Sequence, residues 1–68
     1  MTRKDYMKFA DLFGGELACH KYSPQNVQLE IRAIILSTAD IFRHDNIRFN
    51  REKFYLACGL TKNGGLNL

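Results

Sequence analysis

The sequence has no hydrophobic run near the roughly 18 residues that a membrane-spanning helix needs. Its first residues, MTRKDYMKF, contain no apolar segment of the kind found in a secretory signal peptide. Only two cysteines are present, Cys19 and Cys58, which is too few for a disulfide framework. Both lie in apolar helical contexts, so we expect buried free thiols rather than a disulfide or a reactive thiol. These absences predict a cytoplasmic protein without a membrane segment.

The sequence also has no recognisable catalytic constellation, metal-ligand spacing or nucleotide fingerprint. His20 and His44 are expected at helix ends, and their spacing from the cysteines does not match a zinc pattern. Asp40 and Asp45 are too far apart along a helix to share one face, so they do not form an acid–base pair. The sequence therefore predicts a protein that is not an enzyme and has neither a metal site nor a cofactor.

The length of the chain is that of one small domain, and its net charge is mild. Its 68 residues are close to the lower limit at which a single core is stable, and 46% of them are hydrophobic. A formal net charge of +3 permits an acidic partner without requiring one. We expect a single helical domain over residues 1–60 and a flexible C-terminal tail over residues 61–68. The tail sequence, TKNGGLNL, has turn residues and little to bury.

Residues 23–46, SPQNVQLEIRAIILSTADIFRHDN, are predicted to form one long central helix. Ser23 is expected to cap it, with Pro24 at the first helical position. Tyr22 has the spacing to pack on Val27 as a hydrophobic staple. Apolar residues that recur at steps of three and four predict the buried face. That face contains Val27, Ile31, Ile34, Ile35, Thr38, Ile41 and Phe42.

Two further apolar residues of the central helix, Leu29 and Leu36, fall outside this face. The helix is therefore apolar on more than half of its circumference. Because small monomers rarely expose large apolar patches, the surplus indicates a core covered from two sides or a contact with another protein. That protein is a second copy of the chain or a different one. A buried β-strand over residues 32–36 is a competing interpretation, but the length and the caps favour a helix.

A first helix is predicted from its cap Thr2 to about Cys19. Asp5 has the position of the capping-box acid, and Met1 has the spacing to pack on Tyr6. The glycine pair at 14–15 either ends this helix or marks the close approach of another backbone.

A third helix is predicted over residues 51–58, capped by Asn50 and stapled by Phe49 and Phe54. Asn46 is expected to end the central helix in a left-handed conformation. Together these elements predict an all-α fold, a small three-helix bundle with a long central helix.

Basic residues concentrate in residues 43–53, which contain Arg43, His44, Arg48, Arg51 and Lys53 with aromatic residues close by. A helix, a turn and a helix here would place Arg51 and Lys53 as in a recognition helix that binds nucleic acid. The connection over residues 46–50 is longer than usual, and Asp45 and Glu52 dilute the charge. The residues predicted to contact a partner are Leu29, Leu36, Arg43, Arg48, Arg51, Lys53 and Tyr55.

The segments TRKDY near the start and DNIRFNREKFYLACGL near the end resemble a loose group of short phage-encoded open reading frames. These begin with Thr-x-Lys-Asp-Tyr and end with Asn-x-Arg-Phe, a polar cap and a Phe-x-x-Ala-Cys-Gly helix. The matching positions here are Lys4, Asp5, Tyr6, Asn46, Arg48, Phe49, Arg51, Phe54, Ala57, Cys58 and Gly59. The resemblance implies a phage accessory protein of the bacterial cytoplasm that binds a host or phage component, and it implies no catalytic activity.

The function expected from these observations is that of a small non-enzymatic accessory protein that binds and modulates a host or phage protein. The alternative hypothesis is a small nucleic-acid-binding protein that uses the basic face around the last helix.

Overall fold

The structure, a computed structural model, describes residues 2–67, which form three α-helices around one core. Helix α1 spans Arg3–Cys19, α2 spans Gln25–Asp45 and α3 spans Arg51–Ala57. Each helix contacts the other two. The predicted all-α three-helix bundle with a long central helix is confirmed. The competing strand over residues 32–36 is wrong, because this segment lies inside α2.

The start of α1 has the predicted cap. The carboxylate of Asp5 accepts a hydrogen bond from the backbone N–H of Thr2 at 2.9 Å and another from its hydroxyl at 3.2 Å. These two bonds, the backbone one first, hold the pKa of Asp5 below its usual range. The predicted contact between Met1 and Tyr6 lies outside the described residues, because it involves residue 1.

Replacing Asp5 with asparagine is expected to destabilise the protein near neutral pH and to have less effect in acid. Because folding lowers the pKa of Asp5, its carboxylate stabilises the fold above the unfolded-state pKa, and this contribution is lost as pH falls through the lowered folded-state pKa. Urea denaturation of wild type and Asp5→Asn at about pH 6 and about pH 2 measures the difference. An equal difference at both pH values would contradict the assignment.

The glycine pair does not interrupt α1. A methyl group added at Gly14 would lie 3.3 Å from the carbonyl oxygen of Cys58, just beyond the end of α3. At Gly15 an added methyl group would meet nothing within 4 Å. Of the two predicted explanations, close approach of another backbone is therefore the correct one, and only Gly14 provides it.

The start of α2 differs from the prediction. Pro24 is the residue before the helix, and it is not the first helical residue. The hydroxyl of Ser23 does not cap α2, because it bonds to Nδ1 of His20 at 3.0 Å within the preceding turn. Tyr22 is 93% exposed, so the predicted staple between Tyr22 and Val27 is wrong.

The buried face of α2 is rotated from the predicted one. Ile35 and Ala39 are both 0% exposed, and Phe42 is 4% exposed. Ile34 and Ile41 were expected in the core, but they are 53% and 66% exposed. The prediction for these two is wrong because the neighbouring helices pack on the side of α2 that carries Ala39. A small side chain there gives a weak hydrophobic signal in the sequence, yet it allows close packing.

The centre of the core is a cluster of aromatic rings, here called the aromatic core. The ring of Phe42 has its centroid 4.9 to 5.6 Å from four other rings, those of Tyr6, Phe9, Phe49 and Phe54. Phe49 and Phe54 lie 5.5 Å apart, which confirms the predicted staple across the start of α3. The predicted cap is also present, because the side-chain oxygen of Asn50 accepts from the N–H of Lys53 at 3.1 Å.

The link between α2 and α3 turns without a left-handed residue at its start. Asn46 has φ −141° and ψ 106°, which is extended, so the predicted left-handed ending is wrong. Its side-chain oxygen accepts a hydrogen bond from the N–H of Arg48 at 3.0 Å and holds the turn in this way. Helix α3 ends at Ala57, one residue before the predicted end, and Gly59 follows with φ 92°.

The C-terminal segment, residues 60–67, packs against the bundle. Leu60 is 2% exposed, and Gly64 is buried against the side chains of Leu36 and Tyr55. Nε of Arg32 donates to the carbonyl oxygen of Gly64 at 2.6 Å. Within the predicted tail over residues 61–68, Gly64 is buried and Leu66 packs against the core, so the expectation that the tail has little to bury is wrong. Because residue 64 has no side chain, the backbone there lies on α2 and α3. The flexibility expected over residues 61–68 stays a prediction, and residue 68 lies outside the described part.

Replacing Arg32 with methionine is expected to loosen the C-terminal segment while leaving the bundle folded. Methionine keeps the apolar stem but removes the donor to Gly64, a charge-assisted bond. The amides of Gly64 and Gly65, which bond to Thr61, should then exchange with solvent about tenfold faster. Lys62→Met, an exposed cation in the same segment, is the control. Unchanged protection in Arg32→Met would show that the bond does not hold the segment.

Candidate partner-binding surface

The residues predicted to contact a partner do not all lie on the surface. Leu36 and Tyr55 are partly buried against the core, and Gly64 of the C-terminal segment packs on both side chains. Leu29 is 46% exposed, as expected for an outer residue. The outer apolar side of α2 is therefore not formed by Leu36, because the C-terminal segment covers this residue.

The surplus apolar surface predicted from the sequence comes largely from other residues. Ile34 and Ile41 contribute to it on α2, and Ile47 in the link to α3 is 76% exposed. The full set of large exposed apolar side chains in the described residues is Met7, Phe9, Leu12, Tyr22, Leu29, Ile34, Ile41, Ile47 and Leu56. For a chain of this size, this is a large share of the apolar side chains left in water.

Three of the predicted arginines line one surface cleft, together with an exposed isoleucine and the acidic Glu52. Arg43, Arg48 and Arg51 line a cleft that also contains Ile47. We call these four residues the basic–apolar surface. Nη1 of Arg51 lies 2.9 Å from Oδ1 of Asp40 on α2, so part of its charge is already paired.

Arg48 and Lys53 also line a second cleft, between the starts of α1 and α3, which we call the α1–α3 cleft. Its volume is about 370 Å³ and its third cation is Arg3. Arg3 was not predicted to join the basic residues of the last helix, because only the packing of α1 on α3 brings them together. The available signal was the basic character of the first helix, where Lys4 and Lys8 line a neighbouring groove with Arg3.

The arrangement around α3 differs from that of a long recognition helix. Helix α3 has seven residues, which is about two turns. Arg51 at its start turns back to Asp40 of α2, while Lys53 is exposed. A helix this short, with Arg51 directed toward Asp40, offers few side chains for contacts with base edges. Contacts with phosphates require only the exposed cations.

The two cysteines have different environments. Cys58 is 0% exposed, and burial raises the pKa of its thiol to about 11. Cys19 is exposed, so the prediction that both thiols are buried is wrong for this residue. It lies nine positions after the buried Ala10, which places it on the opposite side of α1. Within residues 2–67 both thiols are free.

A thiol reagent is expected to separate the two cysteines. In the native protein at about pH 8, Cys19 should react quickly and Cys58 should stay protected, because a buried thiol with a raised pKa is mostly protonated. Both should react once the chain is unfolded in urea. The variant Cys19→Ser identifies the fast thiol by removing it. Equal native-state rates for the two cysteines would contradict the burial of Cys58.

Two further features of the described chain bear on the kind of protein this is. Among residues 2–67, no group of three or more His, Cys, Asp or Glu side chains is arranged to hold a metal ion. In the same part of the chain, no helix is both long enough and apolar enough to span a membrane.

The fold and the two clefts define a small three-helix domain with a basic surface around its last helix. Comparison of the chain with protein-family models, with curated proteins and with solved structures finds no match in any of the three.

Proposed function

We propose that this chain is a small non-enzymatic phage accessory protein that binds a host or phage protein and modulates its activity. The observation that carries the proposal is Ile47, which is 76% exposed and lines one cleft together with the cations Arg43, Arg48 and Arg51. A large apolar side chain in water gains about 1.5–3 kcal/mol when it is fully buried. An apolar centre with a polar or charged rim is the usual anatomy of a protein interface.

The chemistry of the basic–apolar surface defines the partner. Its arginines call for acidic groups around an apolar site that accepts Ile47. A different protein fits this better than a second copy, because two copies would bring the same cations face to face on a chain of formal net charge +3. The homodimer expected as an option from the sequence stays a prediction.

Substitutions at the basic–apolar surface test this proposal. Ile47→Ser should weaken binding of the partner by about tenfold or more, since the loss of a buried isoleucine corresponds to at least one tenfold step. Leu12→Ser is the matched control, because Leu12 is an exposed apolar residue outside this surface and is not among the residues predicted to contact a partner. Affinities measured by surface plasmon resonance decide the result. Equal binding by wild type and Ile47→Ser would exclude Ile47 as a contact.

The second candidate function is binding of nucleic acid. It is supported by Arg3, which joins Arg48 and Lys53 in one cleft next to the other arginines. Several cations on one side of a small domain fit a phosphate backbone. The basic side extends along α1 through Lys4 and Lys8.

Salt dependence separates the two functions. Binding to a nucleic acid should weaken steeply with salt, with a slope near 0.9 per phosphate contact, whereas a protein contact should weaken less, because the part contributed by Ile47 is apolar and does not depend on counterion release. The double variant Arg48→Glu and Lys53→Glu should abolish binding to a labelled oligonucleotide but mainly slow association with a protein. Arg51 is left in place because it pairs with Asp40. An affinity for oligonucleotides that is absent or indifferent to salt would exclude the second function.

A further inference from the structure

The α1–α3 cleft combines charge and apolar area in a way that neither function above requires. It lies between Arg3 at the start of α1 and Lys53 in the first turn of α3, with Arg48 beside it. Tyr6 and Phe49 of the aromatic core form part of its wall. We propose that this cleft binds an organic phosphate monoester with a small aromatic body.

The cleft offers positive charge without a counter-charge. None of the residues that line it is acidic, and within residues 2–67 no ion pair involves Arg3, Arg48 or Lys53. Cations held around one cavity repel each other, so an anion that binds there relieves this repulsion. A phosphate monoester carries about −1.5 to −2 charges near neutral pH and a carboxylate only −1, so the phosphate is favoured. The planar guanidinium groups also suit phosphate oxygens.

Besides its cations, the cleft offers the side-chain NH₂ groups of two asparagines as hydrogen-bond donors. The side-chain oxygens of Asn46 and Asn50 already accept backbone N–H bonds from Arg48 and Lys53. Their amide NH₂ groups have no hydrogen-bond partner among the described residues, and both asparagines line the cleft. A ligand with several acceptor oxygens and no donor, such as a phosphate group, matches this set.

The apolar part of the cleft favours a ligand that carries an aromatic group as well as the phosphate. Met7 is 46% exposed at the cleft and Tyr6 is partly exposed, whereas Phe49 and Phe54 behind them are 9% and 4% exposed. Inorganic phosphate alone would leave Met7 and the edge of Tyr6 in water, whereas an aromatic body would cover them. The volume of about 370 Å³ is at the small end of the range for small-molecule sites.

Titration of the ¹⁵N-labelled protein with phenyl phosphate, followed by NMR, tests the proposal. Phenyl phosphate should shift the amide signals of Arg3, Met7, Arg48 and Lys53 in a saturable way. Inorganic phosphate, which lacks the body, and benzoate, which carries a single charge, should each bind several-fold more weakly. A lack of saturable shifts, or equal affinity for inorganic phosphate, would overturn the proposal.

Charge-removal variants supply the control. Arg48→Gln and Lys53→Gln should each weaken the binding of phenyl phosphate by about tenfold, which is the effect of losing one charge-assisted hydrogen bond. Lys62→Gln, which removes an exposed cation from the C-terminal segment, should not. Equal weakening by Lys62→Gln would mean that net charge and not the cleft attracts the ligand, and would overturn the proposal.

The source of the ester is found by comparing phenyl phosphate with capped phosphotyrosine amide, which has the same ring and phosphate on a peptide backbone. Tighter binding of the amide identifies a phosphorylated side chain of a protein, and equal binding identifies a free ester; either result supports the site. The titration uses no partner protein, so its outcome is independent of the proposed function.

Discussion

Ile35→Ala is expected to lower the free energy of unfolding by about 2–5 kcal/mol. Ile35 is 0% exposed in the middle of α2, so truncation removes buried methyl groups and leaves a cavity. A domain of this size has only about 5 kcal/mol of stability in total, so the variant should be close to unfolded at room temperature. Urea denaturation followed by circular dichroism gives the value.

Ile34→Ala is the matched control for Ile35→Ala. The two residues are neighbours in the same helix, so both variants change helix propensity by the same small amount. Because Ile34 is 53% exposed, its truncation should cost less than about 1 kcal/mol. The difference between the variants therefore measures burial alone. Equal costs at the two positions would show that the buried face of α2 is assigned wrongly.

Phe42→Ala is expected to cost about 3–5 kcal/mol, the upper range for core truncations. Its ring is 4% exposed and lies within 5.6 Å of four other rings, so its loss removes the shared contact of all three helices. We expect loss of the near-ultraviolet signal of the tyrosines and a sharply lower denaturation midpoint. A cost below about 1 kcal/mol would contradict the central place of Phe42 in the aromatic core.

Tyr6→Phe is a substitution in the aromatic core that is not expected to destabilise the protein. The ring of Tyr6 contacts Phe42, but its hydroxyl is buried without a hydrogen-bond partner among residues 2–67. Removing an unpaired buried hydroxyl while keeping the ring should leave stability unchanged or raise it slightly. The contrast with Phe42→Ala then separates the contribution of ring packing from a general sensitivity of the core.

Local signals in the sequence were sufficient for the helices and most of their caps. The capping box of Thr2 with Asp5, and the cap at Asn50, depend only on residues three positions apart. The buried face of α2 could not be read in this way. Ile34 and Ile35 are adjacent and equally apolar, and only the positions of the other helices decide which of them is buried.

The surface shows the same limit. Arg48 and Lys53 were predicted as surface cations because they are close in sequence, whereas Arg3 reaches their cleft only through the packing of α1 on α3. Leu36 was expected on the outside. Gly64, which packs on it, is far away in the sequence, and because it has no side chain the sequence shows no apolar residue there that would indicate the contact. Long-range contacts made by backbone leave no periodic pattern to detect.

The segment over residues 45–60, from which a phage origin is predicted, contains residues of two kinds. Phe49, Phe54 and Cys58 lie in the core, and their presence is explained by packing. Arg48 and Arg51 are exposed, and Arg51 pairs with Asp40 of α2. These two arginines belong to the basic–apolar surface.

Affinity capture from a bacterial host lysate tests the proposed function most directly. Wild type and Ile47→Ser are compared, each with and without nuclease treatment, and the retained proteins are identified. We expect one protein that is retained in stoichiometric amount by wild type, whose retention survives nuclease treatment and is lost or much reduced with Ile47→Ser. Retention that disappears with nuclease, or that is the same for both variants, would contradict this expectation.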